Sequence, residues 1–275
     1  MIRAGWASTS DRDRLVVDLV ADHDLDRQLW WETTSGEPPA TPDRLDAVAL
    51  TLLPKAMSYR QDLHLLGPVA WSVLANAEEY IDAWSMWLPD LFGRVTVTAD
   101  EVIDDRHDAP GPFATTAVTA FSGGVDGTYA TYAHSHGLQG RRSLDVAAAV
   151  LVHGFDIPVV DHDGFALASE AARRITEEIG VPLVTMRTNW KQVADPHWEM
   201  TFGAALAGVL HHFTDRAGVA CVAADNTYPQ TILPWGTNPV TGPLLSSRRM
   251  RLVHTGAGIG RTQKCEALGQ LESVR

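Results

Sequence analysis

Phe121-Ser122-Gly123-Gly124-Val125-Asp126-Gly127-Thr128 joins an apolar run at 116–121 to a helical stretch at 125–136 that is stopped by Gly137. A buried strand that turns through glycines straight into a helix is the junction of a parallel α/β sheet. Glycines without Cβ let backbone N–H groups turn inward around anionic oxygens, and the positive helix end adds attraction. Ser122 and Thr128 supply hydroxyl donors, which makes the loop a candidate phosphate cradle. Asp126 repels a bare phosphate, so its presence points to Mg²⁺ held between protein and polyphosphate. The competing reading is a glycine-rich turn with Asp126 as a helix-start residue.

Working outward, residues 111–275 repeat one pattern. Strands are predicted at 116–121, 144–153, 181–186, 219–224 and 250–254, with helices at 125–136, 163–180 and 198–216 between them. In the second helix, Phe165, Ala168, Ala172, Ile175 and Ile179 share one face, opposite Glu170, Arg173, Arg174 and Glu177, with Asp163 as its cap. The third carries Phe202, Ala205 and Val209 on one side. This predicts an α/β fold: an open, mostly parallel, five-stranded doubly wound sheet, whose ligands bind beyond the carboxyl ends of the strands. Asp, Pro and Gly gather near residue 110, where we place a boundary between this unit and a smaller N-terminal α+β domain at 1–110. In that domain, runs at 14–20 and 46–53 read as strands and 69–88 as a helix. It holds six of the nine tryptophans but no motif, so shaping an acceptor pocket and forming a homodimer face both remain open as its role.

The chain has 275 residues with 45% apolar and 20% charged, an ordinary globular composition. No apolar run reaches the roughly 20 residues of a membrane span, and the start lacks the apolar core of a signal peptide. The net charge of −12 disfavours nucleic acid as a partner. Two cysteines, Cys221 and Cys265, are too few for a disulfide framework or a thiolate zinc site, which fits a cytoplasmic protein. His134 with His136 and His211 with His212 are spaced so that each pair diverges, against a metal site.

FSGGVDG followed by Thr128 resembles the SGGxDS signature of the PP-loop ATP pyrophosphatases, the family of asparagine synthetase, GMP synthetase, 7-cyano-7-deazaguanine synthase and tRNA thiolases. The resemblance spans residues 115 to about 270. LVHTGAGIGRTQKCEAL, from Leu252, is similar to the segment after the fifth strand in the deazaguanine synthase branch, where a lysine precedes an acidic residue. The resemblance implies ATP with Mg²⁺, transfer of AMP to a carboxyl or carbonyl oxygen of a small-molecule acceptor, release of pyrophosphate, and displacement of AMP by a nitrogen or sulfur nucleophile. It implies that Ser122, Gly123, Gly124, Gly127 and Thr128 hold phosphates, that Arg261 and Lys264 neutralise them, and that Gly154 and Phe155 meet adenine. Asp126 and, at the end of the fourth strand, Asp225 become the Mg²⁺ carboxylates.

The chain departs from the family where Gly127 replaces a serine or threonine. It also lacks the N-terminal cysteine of the asparagine synthetase glutaminase and the four-cysteine zinc motif of the deazaguanine synthases. The expectation is an AMP-forming synthetase; sulfur insertion by the same adenylation and a non-catalytic nucleotide-binding subunit are the alternatives. The Pro- and Gly-rich loop 225–247 is read as functional or mobile, and Ser246, Ser247, Arg248 and Arg249 as a substrate-anion patch or a solvated rim.

Overall fold

The computed structural model describes residues 1–21, 27–109, 111–194 and 197–274. In chain order the elements are β1 (Ile2–Trp6), β2 (Arg14–Ala21), β3 (Arg27–Ser35), α1 (Asp46–Tyr59), β4 (Leu63–Ala70), α2 (Trp71–Trp87), β5 (Val97–Ile103), β6 (Thr116–Ala120), α3 (Val125–Ser135), β7 (Asp145–His153), α4 (His162–Ile179), β8 (Leu183–Thr188), α5 (Trp190–Ala194), α6 (Trp198–His211), β9 (Val219–Ala223), β10 (Arg251–Thr255) and α7 (Arg261–Leu268). No described helix is long and apolar enough to cross a membrane.

The expected strands β6 to β10 are mutually parallel in the order β10-β9-β6-β7-β8. They form one half of a ten-stranded, mostly parallel sheet that continues through β3-β2-β1-β4-β5, so the sheet is larger than the five strands expected. The seam is antiparallel: Trp31 of β3 sits opposite Thr188 of β8, and the Thr188 hydroxyl donates to Trp30 O at 2.7 Å. Because β1, β4 and β5 run antiparallel to β8 through this seam, the carboxyl ends of the two halves open at opposite edges of the sheet.

Strand β7 shows how the layers are made. Ala148 and Val150 point into one buried cluster, shared with α1, α2 and α6, while Ala149 and Leu151 point into another, under α3 and α4. That period of two, with both faces apolar, is what a central parallel strand requires. Residues 1–110 and 111–275 contribute to the same first cluster.

The run at 46–53, expected as a strand, is the start of α1. Every residue from Asp46 to Met57 is buried, so no exposed polar face marks the run, and periodicity cannot separate a buried helix from a buried strand. Its packing partner α6 crosses at Gly208, where an added Cβ would collide with Thr51 Oγ1. The helix expected at 69–88 starts at Trp71, because Val69 and Ala70 still pair with β5. In α4 the charged face is exposed and Ala172, Ile175 and Ile179 are buried, as the spacing predicts. Its cap is Asp161, not Asp163: the Asp161 carboxylate accepts the Gly164 N–H at 2.9 Å. The helix expected to reach residue 216 ends at His211.

At that end, His211 and His212 lie in the core. Both ring nitrogens of His212 lack partners, and the ring packs edge-on to Trp31 at 4.7 Å. Burial holds the imidazoles at about 4 for His211 and about 3 for His212. Both stay neutral in the fold and charge once unfolded, so their contribution is complete above about pH 6.5 and declines as pH falls towards 4. Chemical denaturation across that window should show a loss of up to about 1.4 kcal/mol per pH unit for each histidine, and His212→Leu should remove about one proton from the slope.

Candidate active site at the carboxyl edge of the parallel strands

Within β6 to β10 the order is that of the third, second, first, fourth and fifth strand, so the winding direction reverses between β6 and β9. A crevice must open there beyond the strand ends. The glycine loop follows β6 and Asp225 follows β9, which places both sequence-predicted features at that point.

Phe121 N still bonds to Val150 O at 2.9 Å, and the chain then turns through Gly123 at φ +77°, a conformation that disfavours any side chain. The Thr128 N–H bonds back to Gly124 O at 2.9 Å and so belongs to the first turn of α3. The N–H groups of Val125, Asp126 and Gly127 precede that bond and have no intrahelical acceptor. These residues, with Ser122 and Gly124, line a cavity of about 470 Å³, within the usual range for small-molecule sites.

Asp126, on the first turn of α3, is the hub. Its Oδ1 accepts Lys264 Nζ at 2.7 Å and its Oδ2 accepts Arg261 NH2 at 2.6 Å. The Lys264 ammonium is only 2% exposed and also donates to Ala224 O at 2.8 Å, just past β9. Lysine and arginine thus stand three residues apart on α7, both bonded to Asp126. The Arg261 side chain is 71% exposed and lines the cavity, whereas buried Lys264 lies behind Asp126 and does not line it.

Asp225 closes the same side. Burial pushes its carboxyl up, and the neighbouring Asp126 charge adds to this; hydrogen bonds from Trp235 Nε1 at 3.2 Å and Thr237 Oγ1 at 3.4 Å and the Lys264 charge oppose it. Loop 225–247 is ordered by Asn238, which is 1% exposed. Its amide donates to Trp235 O and accepts the Val240 and Thr241 N–H groups.

Not every predicted residue is brought in. Thr128 is buried, its hydroxyl has no partner and it does not line the cavity; at the fourth position of α3 it points off the loop. Gly154 is not a lining residue either: its backbone, at φ +107°, passes so close to Thr188 O that a Cβ would collide, so the glycine serves the strand crossing. Phe155 does line the cavity, packed against Trp198 at 5.3 Å. No described residue of 1–110 lines it. Ser246, Ser247, Arg248 and Arg249 lie elsewhere: the serine hydroxyls accept the Leu252 and Met250 N–H groups, Arg249 pairs with Asp43 and Arg248 donates to Arg106 O. Arg248, Arg249 and the Ser246 carbonyl, which accepts from Asn76, tie the chain before β10 to the N-terminal half. His134 bonds to Thr255 while His136 packs on Tyr132, so the two do diverge.

Sequence reasoning missed Trp198 and Phe202. They line the apolar wall with Phe155, and Trp235 packs edge-on to Phe202 at 6.2 Å. The signal was their position: the first two turns of a helix that follows a parallel strand lie at the carboxyl edge, not deep in the core. Neither cysteine lines the cavity; Cys221 is buried, with its thiol pushed up to about 11 by burial, and Cys265 is exposed on α7.

No model of a known protein family matches the chain, and no curated protein is similar to it.

A nearly buried ammonium with one carboxylate partner makes an asymmetric prediction. Asp126→Ala strands the Lys264 charge and should cost about 3 kcal/mol or more in urea denaturation. Lys264→Met leaves Asp126 its bond to Arg261 and should cost less. The double variant should be more stable than Asp126→Ala alone.

Proposed function

We propose that the chain is an ATP-dependent synthetase of the PP-loop type that transfers AMP to a carboxyl or carbonyl oxygen of a small molecule. The observation that carries this reading is the meeting of Asp126, Lys264 and Arg261 beside the glycine loop, at the point where the sheet reverses its winding. The loop supplies free N–H donors, α3 its positive end, and α7 two cations, which together suit a polyphosphate. The apolar wall of Phe155, Trp198 and Phe202 suits a base or a planar acceptor.

In this reading the acceptor oxygen forms a bond to the α-phosphorus as the bond to the β-phosphate oxygen breaks, and a nitrogen nucleophile then displaces AMP. Ser122 and the N–H groups of residues 124–127 hold the phosphates. Lys264 and Arg261 stabilise the charge that gathers on departing pyrophosphate. The Lys264 ammonium has three donors, two of them used by Asp126 and Ala224 O. Asp126 and Asp225 are the carboxylates that would hold Mg²⁺, which supplies charge neutralisation between protein and polyphosphate. Both Asp126 oxygens are engaged by cations, and exposed Arg261 is the partner whose release frees Oδ2.

A second reading, a nucleotide-binding subunit without turnover, draws on Gly127. The loop lacks a hydroxyl there, and Thr128 does not replace it. A Cβ at Gly127 would sit no closer than 3.4 Å to Ala120 O, so Gly127→Ser fits without rearrangement. A sulfur nucleophile would have to come from a separate donor, since neither cysteine lines the cavity.

Incubation with Mg·ATP and pools of candidate acid acceptors plus ammonia or sulfide should yield AMP and pyrophosphate in equal amounts. Lys264→Ala should lower that rate by about 10²-fold or more. ADP with phosphate would contradict the reading. Binding without turnover that Gly127→Ser converts into turnover would favour the second one.

A further inference from the structure

A second cavity, of about 360 Å³, lies at the outer edge of the sheet between α3 and β10 and shares no residue with the first. Three arginines line it, Arg141 and Arg142 from the turn before β7 and Arg251 from β10, together with His134, Gln139 and Ser143. No aspartate or glutamate lines it, in a chain that carries 34 of them and a net charge of −12. None of the three guanidinium groups is ion-paired within the described residues, although each lines a cavity in a chain with a surplus of carboxylates.

Three residues of this wall, His134, Ser143 and His254, carry a buried polar atom without a partner, the last of them Nε2 of His254. His134 is 5% exposed; its Nε2 is bonded to Thr255 Oγ1 at 2.8 Å, but Nδ1 has no partner. The Ser143 hydroxyl is buried and unpartnered as well. Burial, then the fields of Arg142 and Arg251, keep the His134 ring below its ordinary basicity, so both guanidinium groups act on that ring. Buried polar atoms without partners are costly, and like charges gathered without a counter-ion repel.

We propose that this cavity is a binding site for a phosphate-bearing small molecule, separate from the candidate active site. A single carboxylate needs one guanidinium; three guanidinium groups in a wall that holds no carboxylate suit a multiply charged oxyanion. The cavity's concavity and size select a small molecule over a protein surface. Its wall includes residues 256–259, the loop that leads into Arg261 and Lys264, and Gly256 packs directly against the Lys264 side chain. An anion bound here therefore rests against the strut that carries both active-site cations.

The test is calorimetric titration of the full chain with pyrophosphate and with AMP, which separates a free oxyanion from a nucleoside-borne phosphate. A Gly124→Val variant, which fills the other cradle, should still bind at least one of them, and native protein should bind it at least as tightly. Arg142→Gln/Arg251→Gln should weaken that binding by about tenfold or more, and Arg173→Gln/Arg174→Gln, the same charge loss on α4, should not. The proposal is overturned if neither probe binds, if Gly124→Val abolishes binding, or if both arginine pairs weaken it equally. Should the Arg142/Arg251 variant fail to fold, protection of the native arginines from phenylglyoxal by the bound probe decides the question: protection at Arg142 and Arg251 supports the site and its absence refutes it.

Discussion

The Lys264 ammonium, withdrawn from water and held by Asp126 and Ala224 O, is the constraint around which the site is built. Such a charge persists in the interior only if it is paired and hydrogen-bonded. Meeting that demand fixes three elements at once: the first turn of α3, the end of β9 and the face of α7. The glycine loop is thereby locked between a strand end and a helix start, and its free N–H groups keep their orientation. Exposed Arg261 shares the carboxylate without being buried, so one cation is fixed and the other is free to move.

The sheet explains why the site is confined to residues 111–275. Joining the two sets of parallel strands through antiparallel β3 and β8 reverses their polarity, and the carboxyl edge of β1, β4 and β5 faces away from the cavity. The N-terminal half instead supplies α1, which covers the other face of the central strands together with α6. Its effect on the site runs through packing: Thr51 against Gly208 seats α6, whose first turns carry Trp198 and Phe202.

Much of this was legible in the sequence where local physics decides alone. The strand, glycine turn and helix at 116–136 need no distant partner to be recognised, and neither does the amphipathic α4. Lys264, Arg261 and Asp126 were legible as candidates, but their mutual bonds were not, since 135 or more residues separate Asp126 from its partners. The misreadings have physical causes. The run at 46–53 shows no exposed polar face because α1 is enclosed on all sides, which erases its period. The seam at Trp31 and Thr188 depends on a pairing between segments over 150 residues apart. Thr128, one residue on from Gly127, lies buried off the cavity because one residue along a helix is a rotation of about 100°.

The central claim is that the glycine loop and its buried cluster form a polyphosphate site, and calorimetry of Mg·ATP binding tests it most directly. Native protein should bind ATP in a Mg²⁺-dependent way, and Gly124→Val, with its fold verified by its unfolding midpoint, should lose the Mg²⁺-dependent component and keep at most the weaker, Mg²⁺-independent binding of the arginine-lined cavity. Equal Mg²⁺-dependent binding by the two proteins, or none by either, would contradict the account and reduce the loop to a turn.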